Sequence, residues 1–140
     1  METSLALSAD SRQLAGILLL ALVTVETGGM YMVKLVRGGA EATPFQVSFA
    51  RAGHAHAGVL LILALVCQVL ADSTTQSGFV DWLSRSGVAV AALLMPAGFF
   101  FSSMGNGRER PNGLIALVFV GAFVLAAGLI SLGIGLLTAG

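Results

Sequence analysis

Four stretches of this chain are apolar and long enough to cross a lipid bilayer, and they leave little sequence over for anything else. A helix needs about 20 residues to traverse ~30 Å of hydrocarbon. The four runs cover approximately residues 14–35, 50–70, 88–104 and 114–137. Between them stand the Gly, Ser and charged residues that the runs lack: Arg37-Gly38-Gly39, Asp72-Ser73-Thr74-Thr75 and Gly105-Asn106-Gly107-Arg108. Connections this short force consecutive helices to run antiparallel. The 140 residues therefore predict one domain, an all-α four-helix transmembrane bundle surrounded by the lipid bilayer. Composition agrees, with 56% hydrophobic and 10% charged residues, against about 25% charged in soluble domains.

The same composition removes several function classes. Seven basic residues balance seven acidic ones, so no basic field exists to hold nucleic acid. The single cysteine, Cys67, lies inside an apolar run and can close no internal disulfide and build no Cys-rich metal site. No HExxH, G-x-S-x-G, P-loop or dinucleotide fingerprint occurs, which excludes a soluble-type enzyme. The amino-terminal segment carries Glu2, Asp10 and only Arg12, with no small-residue cleavage site soon after. The first span is thus expected to be retained rather than cleaved as a signal peptide.

Helix ends are signalled locally. Thr43-Pro44-Phe45-Gln46 has the N-cap, the Pro at the first helical position and the Gln at the third that make a capping box, so the second helix is expected to begin at Pro44. Asp81 reads as the N-cap of the third helix with Trp82 as an interfacial anchor, and Pro111 suits the first turn of the fourth. Pro96 is expected to bend the third span. With four spans, one side (side A) receives both termini and the second loop, with Arg12 and Arg85; side B receives Lys34, Arg37, Arg51, Arg108 and Arg110. The excess on side B predicts that side B faces the cytoplasm, with the amino and carboxyl termini both outside. Small residues recur four apart at Ala50, His54 and Gly58, at Gly87, Ala91 and Met95, and at Ala127, Ser131 and Gly135, marking faces where helices approach closely.

Ionisable groups at membrane depth cost several kcal/mol unless paired or wet, so each is a functional candidate. Four stand there: Glu26, Arg51, His54 and His56. Counted from the side-B ends at 1.5 Å per residue, Glu26 lies ~16 Å deep and His54 ~15 Å deep. An antiparallel hairpin brings them to one level. At 100° per residue Arg51 and His54 share a helix face while His56 points away from it. With Tyr31 nearby on the first helix, the polar groups inside the bundle concentrate in its side-B half, Gln68 and Ser131 excepted.

Three readings of these residues stand open. Glu26, Arg51 and His54, with Tyr31 beside them, form a polar site facing side B that binds a proton, a divalent metal ion or a small polar ligand. Alternatively, His54 or His56 ligates haem or a metal in a redox subunit of a respiratory complex, with Met30, Met104 or a histidine of another subunit opposite. Or the polar residues only hold together an accessory subunit, a homo-oligomer or a larger membrane complex.

The segment Arg51-Ala-Gly-His54-Ala-His56-Ala-Gly58-Val-Leu, with Met95-Pro96-Ala-Gly98-Phe-Phe and Arg110-Pro111-Asn112-Gly113-Leu114, resembles a group of small four-span bacterial membrane proteins common in actinobacteria. That resemblance implies a bacterial inner-membrane location and supplies no activity. The His-x-His beside an Arg is also similar to segments of NnrS and haem-copper oxidase relatives, which implies haem or copper binding at His54 and His56.

Overall fold

The computed structural model describes residues 7–139; Glu2 lies outside them. The chain is an all-α four-helix bundle: α1 (Ala9–Val36), α2 (Pro44–Ala71), α3 (Gly78–Ser103) and α4 (Ala116–Thr138), with a single 3-10 turn, Gly113–Ile115, leading into α4. All four helices are long and apolar enough to cross a membrane.

The capping box predicted at Thr43 is present, with Gln46 N–H donating to Thr43 Oγ1 and Thr43 N–H to Gln46 Oε1. Two other ends differ from expectation. Ser77, not Asp81, stands at the start of α3, and Asp81 occupies its first turn. There it pairs with Arg85 one turn on, so a stretch that reads as loop is the first two turns of the helix. Pro111 precedes the last helix rather than entering it; Asn112 caps the 3-10 turn by accepting from Leu114 N–H. Within α3, Pro96 is buried and the helix continues through it to Ser103.

The helices pack in chain order, α1 on α2, α2 on α3 and α3 on α4. The central α3 has 56% of its most apolar stretch buried, whereas the peripheral α1 has 6%. Val88, Ala91, Ala92 and Met95 of α3 meet Leu60, Leu61, Ala64 and Cys67 of α2 and Leu132 of α4 in the main core. The α3 and α4 backbones approach closely at Gly87 and Gly128 and again where Gly98 meets Val118. The buried face of α4 carries Gly121, Gly128 and Gly135 seven residues apart; Gly121 and Gly128 meet α3, and Gly135 meets Gln76 in the loop before it.

Candidate functional site

On the α1–α2 interface the small-residue stripe of α2 does what its spacing predicts. Ala50 packs with Met32 and Leu35 of α1, and Gly58 faces Val25. Between them the His54 ring lies over Gly28 and Gly29, so close that a Cβ added to either glycine would stand 3.5 Å from an imidazole atom. Two consecutive glycines make a notch in α1 deep enough for the ring. The level match expected between His54 and Glu26 holds to within one helical turn, because Gly28 and Gly29 stand two and three residues after Glu26.

Level does not make a contact. Glu26 is exposed on the outer side of α1, and the ion pairs found among the described residues both belong to Arg85, so Glu26 pairs with neither Arg51 nor His54. Arg51 is also exposed. It lines, with His54, Arg37, Met32, Val33 and Val36, a groove of about 310 Å³ between α1 and α2 near their side-B ends. Tyr31 is 51% exposed and lies in a separate groove with Gln46, Ala50 and Phe100. The structure thus gathers Arg51 and His54, adds Arg37, and leaves Glu26 and Tyr31 on other faces.

His56 faces α3. Its Nδ1–H donates to the Ala52 carbonyl at 2.7 Å, and its ring lies 5.0 Å from that of Phe99. The two histidines therefore point at different helices, as their 200° separation requires, and a bis-histidine pair cannot form within one chain. Among the described residues no three metal-ligating side chains converge.

The denser polar network lies at the other end of the bundle, where sequence reasoning expected almost purely apolar packing. Arg85 of α3 donates through Nε to both oxygens of Asp81 at 2.9 Å and through Nη1 to Asp72 and to the Ser11 hydroxyl. Ser11 Oγ, fully buried, lies 3.0 Å from Asp72 Oδ1 and 3.2 Å from the Gln68 carbonyl. One guanidinium therefore joins α1, α2 and α3. Partial burial pushes the Asp72 carboxyl up, but hydrogen bonds from Arg85, Ser8 and Ser11 outweigh it and hold its pKa at about 2. Across the loop, Ser84 donates to Gln76 Oε1 at 2.7 Å and lies 2.8 Å from Ser131 Oγ, while Gln76 Nε2 donates to the Ser131 carbonyl at 2.8 Å. These contacts tie α4 to α3. The signal that could have revealed them is the Asp81–Arg85 spacing of four, which is a helix spacing and not a loop one.

No protein-family model, curated protein or solved structure matches the chain.

Proposed function

We propose that the chain is a small bacterial inner-membrane protein that binds a small anionic ligand with an apolar body in the α1–α2 groove, side B being cytoplasmic. One observation carries this reading: Arg51 lines an otherwise largely apolar groove with His54 and Arg37, and no carboxylate of the described residues neutralises it. An unpaired guanidinium on an apolar wall is costly at membrane depth. A carboxylate or phosphate would remove that cost through charge-assisted hydrogen bonds, and Met32, Val33 and Val36 would receive the apolar part. His54, one turn from Arg51, supplies a further hydrogen bond. Titration of the detergent-solubilised chain with decanoate tests this reading. Saturable binding that weakens at least tenfold in Arg51→Gln is expected. Equal binding by decylammonium, or an unchanged affinity in the variant, would refute it.

A second source for the missing anion is favoured by the position of Glu26. It stands with Val23 and Met30 on an exposed face of α1 that no described residue covers. In this reading the protein is a homo-oligomeric subunit in which Glu26 of one copy neutralises Arg51 of the next. Native mass spectrometry of the purified chain separates the two readings, because only the second requires more than one copy.

A further inference from the structure

Gln68 is the largest fully buried side chain in the bundle, and half of its amide is satisfied. Its Nε2 donates to the Ala64 carbonyl at 3.0 Å and the Arg85 carbonyl at 2.7 Å, which uses both amide protons and fixes the orientation of the group. Its Oε1 has no hydrogen-bond partner. A buried acceptor left without a donor costs about 1–3 kcal/mol, and the helical backbone around it has no proton to offer.

Gln68 also forms part of the wall of a cleft. Because α1 and α3 both rest on α2 and scarcely on each other, a gap of about 450 Å³ opens between them over Gln68 near side A. That volume falls in the range of small-molecule sites, about 300–1,000 Å³. Leu14 and Ile17 of α1 form one apolar wall, and Trp82 of α3 stands opposite with half of its surface exposed. Two carboxylates line the opening, Asp10 in the first turn of α1 and Asp81 in the first turn of α3. Arg85 also lines it, but its charge is balanced twice, by Asp72 and by Asp81. The net charge around the cleft is negative.

We propose that this cleft is a second binding site, distinct from the α1–α2 groove, for a small primary ammonium ion carrying a short apolar body. The three requirements of the site select that chemistry. Gln68 Oε1 needs an N–H donor, the Asp10 carboxylate, which pairs with no cation among the described residues, needs a positive charge, and the indole face of Trp82 attracts a cation while Leu14 and Ile17 cover a hydrocarbon chain. A quaternary ammonium meets the second requirement and fails the first, and an anion fails both.

Trp82 is the only tryptophan in the chain, so its fluorescence reports on this cleft alone. The full chain in a neutral detergent, titrated with n-butylammonium chloride at constant ionic strength, is expected to show a saturable change in Trp82 emission. Tetramethylammonium should need at least a tenfold higher concentration, and sodium butyrate should produce no saturable change. Asp10 is exposed and accepts no side-chain hydrogen bond from any described residue, so Asp10→Asn should fold normally and weaken butylammonium at least fivefold. Gln68→Met should weaken it further if that variant folds. The proposal is overturned by the absence of any saturable response to butylammonium, by equal responses to tetramethylammonium or butyrate, or by an unchanged affinity in Asp10→Asn.

Discussion

Gly87 of α3 and Gly128 of α4 meet backbone to backbone: a Cβ added to Gly87 would stand 2.9 Å from the Gly128 Cα, and one added to Gly128 would stand 3.1 Å from the Gly87 Cα. At this separation a single methyl group must push two helices apart, because neither neighbour is the flexible end of a side chain. Forcing extra carbon into a packed seam costs typically 1–3 kcal/mol. Gly87→Ala and Gly128→Ala are each expected to destabilise the bundle by that amount in a denaturant titration in mixed micelles. Gly133, whose added Cβ would meet nothing within 4 Å, serves as the control. Equal stability of all three variants would show that α3 and α4 do not cross on this glycine pair.

The notch under His54 makes a graded prediction. An added methyl at Gly28 would lie at ordinary contact distance from the imidazole, 3.5 Å from Nδ1, so Gly28→Ala should be tolerated. A branched side chain has no such room and must drive the ring out of the notch. Gly28→Leu is expected to cost about 1–3 kcal/mol and to weaken decanoate binding along with it, since the displaced ring would occupy the groove. A loss of stability with decanoate affinity unchanged would separate His54 from the ligand.

Much of the fold was legible in the residues and the richest polar cluster was not, for one physical reason. Hydropathy finds helices by the absence of polar groups, so it located all four spans yet began the third apolar run near Val88, and the capping signal carried that helix back only to Asp81. The structure starts α3 at Gly78, because Asp81 pairs with Arg85 along the helix while Ser84 and Arg85 are satisfied by Gln76 of the α2–α3 loop, Ser11 of α1 and Asp72 at the end of α2. Those partners are up to 77 residues away in sequence, beyond the reach of any local pattern. The capping box at Thr43 was readable because both of its hydrogen bonds close within four residues. For the candidate site, depth was legible and direction was not. Counting turns put Glu26 and His54 at one level, but the rotation of α1 about its own axis is set by where Gly28 and Gly29 meet the His54 ring, and that rotation turns Glu26 outward.

The Arg85 cluster gives the molecule an acid limit. The Asp72 carboxyl titrates at about 2 in the folded protein against 3.8 in an unperturbed chain. A group with a depressed folded pKa contributes stability that is fully present above its unfolded value and is lost as pH falls through the folded one. The contribution of Asp72 should therefore be complete above about pH 4 and disappear between pH 4 and pH 2. Thermal unfolding of the wild-type chain in detergent is expected to fall across that window, and Asp72→Asn, less stable at neutral pH, should converge with it there. A difference between the two that stays constant down to pH 2 would mean that Asp72 is not held by Arg85.

Glu26 offers the sharpest decision between the two sources of the anion that Arg51 lacks. A carboxylate facing lipid is a liability, since insertion scales charge about 2.5–3.5 kcal/mol for an ionised side chain at a helix centre, and its replacement by Leu should then leave a single chain unharmed. In an oligomer the same replacement would instead leave Arg51 of the neighbouring copy unpaired and release the copies. Charge reversal extends the test, because the pair joins different chains. Glu26→Arg and Arg51→Glu should each yield monomers by native mass spectrometry, while the double variant, in which the charges are exchanged, should recover the assembly. If all four proteins run as monomers, Glu26 does not hold copies together and the groove ligand is the remaining source. If the double variant stays dissociated while the wild type is oligomeric, the copies associate through some face other than the one that carries Glu26.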